Sequence, residues 1–195
     1  MVAIIDYDAG NTRSVANALK GLKADYIITD DVYLLREAEH VILPGVGHAR
    51  PAMDKLESGQ LTAFIKSCRV PFLGICLGMQ LMADHSEEGD TKCLGLLDMT
   101  VSAFDARQCG KVPHMGWNRV WHNNEHPLFK DIPDGTFMYF VHSYYLARDK
   151  NTTATCRYGS DFSAAVVFNN FFGVQFHPEK SGAAGVRLLS NFLKI

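Results

Sequence analysis

Val70-Pro71-Phe72-Leu73-Gly74-Ile75-Cys76-Leu77-Gly78-Met79-Gln80 is the stretch on which the fold turns. Its first half is continuously apolar, the pattern of a strand covered on both faces in a parallel sheet, and predicts a strand over 70–75. Its second half, Gly74-Ile75-Cys76-Leu77-Gly78, spells G-x-C-x-G, the cysteine form of a nucleophile elbow. The glycines make room for a strained strand-to-helix turn that lifts the central side chain out at the end of the sheet. A helix beginning at Leu77 places Cys76 at a helix N-terminus, where the dipole and free N–H groups favour a thiolate. The Leu77 N–H is then a natural oxyanion donor. Taken alone, a glycine-flanked cysteine is equally a packing device, and the chemical reading needs a base.

Upstream, Val2 to Asp6 is a short β-type run followed by the turn-forming segment 8–11 and by apolar residues at Val15, Ala18, Leu19 and Leu22, which predicts strand, tight turn and amphipathic helix. Tyr26 to Thr29 and Val41 to Leu43 repeat the strand signal. Strands separated by helical patterns predict a parallel sheet covered on both faces. From about Leu94 the rhythm changes to strand-like pieces at Thr100 to Phe104, Asn118 to Trp121, Met138 to Tyr145, Ala164 to Phe168 and Gly173 to Phe176. An antiparallel section is therefore expected beside the parallel one. Val186, Leu188, Leu189, Phe192 and Leu193 predict a closing amphipathic helix. The expected fold class is three-layered α/β: a mostly parallel central sheet with helices on both faces plus an antiparallel addition, and the site at the carboxyl ends of the strands.

With 195 residues, 47% of them hydrophobic, the chain suffices for one sizeable core, and residues 1–195 are expected to form a single domain. Nineteen basic residues stand against 21 acidic ones, a balance that favours neither nucleic acid nor an anionic membrane as a partner. The start carries no basic, then apolar leader, and no run approaches roughly 18 apolar residues. A soluble, cytosolic protein acting on a small molecule is expected. Cys68, Cys76, Cys93, Cys109 and Cys156 form an odd set without a C-x-x-C pair, which argues against a disulfide framework and a zinc site.

A base is available in Gly173-Val174-Gln175-Phe176-His177-Pro178-Glu179-Lys180. In an extended segment alternate residues share a face, so His177 and Glu179 would project to one side, with Pro178 limiting the backbone between them. A carboxylate there holds the imidazole in one tautomer while its other nitrogen faces a thiol. A surface His and Glu ending a strand is the bland alternative. Joined with the elbow, the pair reads as a Cys76-His177-Glu179 triad.

Gly-Ile-Cys-Leu-Gly-Met-Gln and Gln-Phe-His-Pro-Glu together resemble the class I, triad-type glutamine amidotransferase family. Pro44-Gly-Val-Gly47, Lys111-Val-Pro-His-Met-Gly-Trp-Asn118, Tyr139-Phe-Val-His-Ser-Tyr144 and His177-Pro-Glu-Lys-Ser181 narrow the resemblance to the glutaminase subunits of imidazole glycerol phosphate synthases, with Pro-His-Met-Gly-Trp-Asn the discriminating piece. The resemblance implies that Val46 and Gly47 supply the second oxyanion N–H beside that of Leu77. It implies that Gln80 and Glu88 meet the α-amino end of glutamine, while His142, Ser143 and Tyr144 line the carboxylate side. Trp117, Tyr139 and Lys180 are candidates for a partner-facing surface. Asp8, Thr12 and His48 depart from the family's usual residues.

What the resemblance implies is hydrolysis of glutamine to glutamate and ammonia through a cysteine thioester, with no metal or organic cofactor. The ammonia would pass to a (β/α)8-barrel cyclase subunit that makes imidazole glycerol phosphate in histidine biosynthesis, the two chains forming a heterodimer. Three other readings stay open at this level. They are an amidotransferase subunit serving another synthase, a catalytically silent regulatory module, and a thiol-dependent peptidase or stress protein of related architecture.

Overall fold

A computed structural model of the chain describes residues 1–8, 10–122 and 126–195. Residue 9 of the expected turn 8–11 lies outside the described residues. The first part alternates strands and helices: β1 (Val2–Ile5), α1 (Thr12–Gly21), β2 (Tyr26–Thr29), α2 (Val32–Arg36), β3 (His40–Gly45), α3 (Ala49–Ser58), α4 (Leu61–Ser67), β4 (Phe72–Cys76) and α5 (Leu77–Gln80). The second part is strand-rich: β5 (Ala83–Ser86), β6 (Thr91–Lys92), β7 (Leu97–Ala103), α6 (Ala106–Cys109), β8 (His114–His122), β9 (Thr136–His142), β10 (Tyr144–Leu146), β11 (Thr152–Tyr158), β12 (Ser160–Phe168), β13 (Phe171–Val174) and α7 (Gly182–Phe192).

Among the described residues the strands form two sheets, one of nine strands in the order β2-β1-β3-β4-β13-β12-β11-β8-β9 and one of four in the order β10-β7-β5-β6. Pairing is parallel from β2 through β13 and antiparallel from β13 to β9. The parallel strands bury alternate residues against opposite layers. Ala3 and Ile5 of β1 join the core that contains α3, α4 and the four-stranded sheet, whereas Val2 and Ile4 join the one that contains α1 and α7. This is the expected three-layered α/β arrangement. The side chains of Phe72, Phe140, Phe162 and Phe192 are completely enclosed, each stabilising the core by about 1.5–3 kcal/mol.

Register places the functional ends side by side. Gly45, at the end of β3, is aligned with Cys76 at the end of β4, and Val174, ending β13, is aligned with Ile75. The Pro44–Gly47 turn, the cysteine and the segment after β13 therefore meet at one edge of the parallel sheet.

Three details differ from the sequence reading. The strand expected over 138–145 is two strands in different sheets, because the chain turns at Ser143, whose carbonyl accepts from the Phe104 N–H, and Tyr144 then pairs with Ala103. β5, β6 and β11 are additional to the expected strands; the first two are short and polar, while β11 buries Ala154 and Cys156 alternately between exposed-side neighbours. In α7, Val186 faces solvent and Gly185 faces inward, where an added Cβ would lie 1.9 Å from the Pro178 carbonyl oxygen. Only a glycine lets the helix close on the turn that carries His177 and Glu179.

Candidate active site

The elbow is built as its glycines dictate. Cys76 has φ 54° and ψ −109°, a conformation costing a non-glycine residue about 1–3 kcal/mol, held because β4 enters it and α5 leaves it within a packed layer. A Cβ on Gly74 would come within 2.7 Å of the Gly78 carbonyl group, one on Gly78 within 2.0 Å of the Leu43 oxygen, and one on Gly45 within 2.5 Å of the Gly78 nitrogen. The α5 turn is thus pressed onto β3 and β4 with no room for side chains. The helix is a single turn, and Leu77 heads it as expected, so its N–H has no intrahelical acceptor.

His177 and Glu179 meet, but not along a strand. β13 ends at Val174, and a 3-10 turn spans Pro178–Lys180 with His177 at its N-cap. The turn brings His177 Nδ1 to 2.8 Å from Glu179 Oε1, with both side chains only 1% exposed. An extended dipeptide had been expected to align them; Pro178 at the first position of the turn does so instead. The carboxylate can only accept from Nδ1, which leaves His177 Nε2 as the working nitrogen. That atom is buried. Burial pushes the His177 pKa down, but hydrogen bonding to Cys76 and Glu179 and the charge attraction of both outweigh it and raise it to about 10. Cys76 is thus close enough to act on the ring.

Both residues open onto a cavity of about 280 Å³ lined by Val46, Gly47, Leu77, Gln80, Glu88, His142, Ser143 and Tyr144, every oxyanion and substrate residue expected from the sequence. Gly47 has φ +98° and no neighbour within 4 Å of a would-be Cβ, so the turn can present its backbone to a ligand. Glu88 is buried, and its Oε2 accepts from the Ala49 N–H at 2.8 Å, supplying the cap that His48 does not give α3. His48 Nε2 lies 3.7 Å from Glu88 Oε1, so the departure at position 48 bears directly on a cavity carboxylate. Gln80 donates from Nε2 to the Tyr144 carbonyl and to Gln175 Oε1, each at 2.9 Å.

Gln175, His114 and Asn118 lie in stretches that the sequence singles out, but no role is assigned to them there. Gln175 is wholly buried and its Nε2 lies 3.6 Å from Cys76 Sγ. Its position two residues before His177 was the available signal, since alternate residues share a face.

Trp117, Tyr139 and Lys180 form one surface cluster. Trp117, 55% exposed, pairs across β8 and β9 with Tyr139, their rings 6.0 Å apart, and Lys180 Nζ stands 6.0 Å from the Tyr139 ring. No helix among the described residues is long and apolar enough to cross a membrane, and no group of three or more His, Cys, Asp or Glu among them could hold a metal ion.

An elbow cysteine, a carboxylate-held histidine and a cavity at the strand ends have the geometry of the thiol–imidazole–carboxylate class of site. The chain belongs to the class-I glutamine amidotransferase family, whose profile matches residues 3–195. It is 49% identical over 195 residues to the imidazole glycerol phosphate synthase subunit HisH of Bacteroides fragilis strain YCH46, covering 100% of this chain and 99% of that one. The subunit of the same name from Pectobacterium atrosepticum is 46% identical with the same coverage. Subunit HisH 2 of Legionella pneumophila strain Lens is 43% identical, covering 100% and 98%. The fold is shared with a putative GMP synthase subunit from Thermoplasma acidophilum, at a TM-score of 0.77 and 20% identity over 99% of this chain and 92% of that one. The structure of PurLQS from Thermotoga maritima gives a TM-score of 0.71 at 22% identity, covering 99% and 97%.

Proposed function

We propose that the 195 residues act as one glutaminase domain in which Cys76, His177 and Glu179 are the catalytic triad, and that the ammonia passes to a (β/α)8-barrel cyclase subunit making imidazole glycerol phosphate in histidine biosynthesis. The observation that carries the reading is the buried His177–Glu179 pair, whose Nε2 side shares a cavity with the strained Cys76. His177 takes the thiol proton, and Cys76 Sγ attacks the side-chain carbonyl of glutamine. The N–H groups of Leu77 and of the Val46–Gly47 turn hold the oxyanion. Collapse with protonation by His177 releases ammonia, and water cleaves the γ-glutamyl thioester to glutamate.

Gln80 has spent both N–H groups inside the protein, which leaves its carbonyl oxygen to accept from the substrate's α-ammonium, beside the Glu88 carboxylate. His142, Ser143 and Tyr144, which line the same cavity, meet the substrate's carboxylate. Trp117, Tyr139 and Lys180 are the contact surface for the cyclase, in a cytoplasmic heterodimer. The relatives' naming as synthase subunits supports the choice of partner. The test is glutamate release from glutamine, measured with and without the cyclase, alongside labelling of Cys76 by a glutamine-analogue electrophile. Protection of Cys76 by glutamine but not by peptides is expected; the reverse would favour a peptidase.

A further inference from the structure

The cysteine sulfur has a neighbour with no role so far. Gln175 Nε2 points at Cys76 Sγ from 3.6 Å, and its Oε1 accepts from Gln80 Nε2 at 2.9 Å. An amide is symmetric in shape, so its orientation must be fixed by what surrounds it. Here it is fixed by a pure acceptor. The Tyr144 carbonyl cannot donate, so the Gln80 atom 2.9 Å from it is the NH2 group. That same NH2 faces Gln175, which must answer with its oxygen and turn its own NH2 to the sulfur.

The Tyr144 carbonyl also receives His142 Nδ1 at 2.7 Å, so Nδ1 carries a proton. Burial holds His142 neutral, with its pKa pushed down to about 3, and Nε2 is then an acceptor. His114 Nδ1, 2.9 Å away, must donate to it, and His114 Nε2 must accept. The far end agrees independently. Asn118 accepts the Arg119 N–H on Oδ1 and donates from Nδ2 to the Arg157 carbonyl, so the group 3.2 Å from His114 Nε2 is its NH2. The two ends assign the same direction to every proton between them. Phe104, Phe140, Tyr158 and Phe162 pack around the two imidazoles and keep water from breaking the order.

We propose that Gln175 is a further catalytic residue, donating an N–H to the Cys76 sulfur so as to favour its thiolate, and that the Tyr144 carbonyl, held in place from its other side by a buried relay of Asn118, His114 and His142, locks it in that orientation through Gln80. A flipped Gln175 would set a carbonyl oxygen against the sulfur and NH2 against NH2 at Gln80. Hydrogen bonds to a charged form stabilise it. The inference rests on the reading of Cys76 as the nucleophile.

Two measurements test it, neither of which requires turnover of glutamine. Long-range nitrogen–proton NMR of the 15N-labelled chain at pH 7 is expected to show both His114 and His142 as neutral Nδ1–H tautomers. An Nε2–H tautomer at either would overturn the relay. Alkylation of Cys76 by iodoacetamide, located by peptide mass, is expected to slow about tenfold at pH 7 in Gln175→Leu and in the isosteric Gln175→Glu, with the pH profile moved up by about one unit. An unchanged profile in a folded variant would refute the role of Gln175. Glutaminase activity persisting in Cys76→Ala would instead sink the triad, so the two failures are told apart.

Discussion

His177 Nδ1 lies 2.8 Å from Glu179 Oε1 across a single 3-10 turn, in a contact that excludes water from both side chains. With Nδ1 committed to the carboxylate, the tautomer is set and Nε2 is the nitrogen that can exchange a proton with Cys76. Cys76→Ala is expected to abolish glutamate formation in a folded protein, and His177→Asn to be nearly as damaging. Glu179→Gln should cost less than either, because the carboxylate orients and stabilises the ring without touching substrate. Steady-state glutamate production of the three variants ranks them; a loss in Glu179→Gln equal to that in Cys76→Ala would give Glu179 a direct part in the chemistry.

The elbow also makes a stability prediction. A methyl group on Gly78 would sit 2.0 Å from the Leu43 carbonyl oxygen, a backbone atom that cannot swing aside. Gly78→Ala should therefore destabilise the fold by about 3 kcal/mol or more, as overpacking against main chain does. Gly21→Ala, in open space near the end of α1, serves as the control and should change little. Denaturant unfolding compares them, and equal midpoints would mean that β3 and the elbow are not packed as described.

The His114–His142 pair predicts acid sensitivity. Burial lowers the pKa of His114 to about 4 and that of His142 to about 3 from an ordinary 6.5. Between those values and 6.5 the unfolded chain binds more protons than the folded one. The stability is thus fully present above pH 6.5 and is lost as pH falls through the folded values, at about 1.4 kcal/mol per pH unit for each histidine. Unfolding free energies from pH 7.5 to 4.5 should fall less steeply for His114→Gln than for the parent chain. Parallel slopes would mean that the pair is not held neutral.

The elbow, the His177–Glu179 pair and the layer order were legible in the sequence because each is a local pattern: an apolar strand running into G-x-C-x-G, and His and Glu two residues apart. The parts that were not legible depend on long-range register. Nothing near Tyr144 announces that its carbonyl accepts from Gln80, 64 residues away in the α5 turn. Gln175 is silent for the same reason, its role being decided by Gln80, 95 residues away. The split at Ser143 was hidden because β9 and β10 form one aromatic-rich run, and only the pairing of Tyr144 with Ala103 divides it. His177 and Glu179 were correctly paired through the wrong local geometry, because alternate residues of an extended segment and the ends of a Pro-led turn both bring such side chains together.

The surface cluster leads to the last prediction, that the isolated chain is a poor glutaminase and that a ligand-loaded cyclase raises its turnover markedly. Tyr139 is held on both sides of its peptide: its carbonyl accepts from the His177 N–H at 2.9 Å, and its N–H donates to Ser181 Oγ at 2.9 Å, which itself donates to the His177 carbonyl. A partner pressing on Trp117, Tyr139 and Lys180 would therefore act one hydrogen bond from His177. The Val46–Gly47 turn offers a second point of control, because Gly45 and Gly47 lower the steric cost of rotating a peptide between donor-in and donor-out arrangements. Either change is driven only as far as the partner binds the competent state more tightly than the resting one. Glutamate production is to be measured for the chain alone, with empty cyclase and with cyclase carrying its nucleotide ligand. Rates rising in that order are expected, and equal rates in all three would refute the coupling. Trp117→Ala should lower the activation while leaving the slow rate of the isolated chain in place, since Trp117 stands on the exposed side of β8, outside the cavity lining. Full activation of that variant would remove Trp117 from the contact surface and leave Tyr139 and Lys180 to carry it.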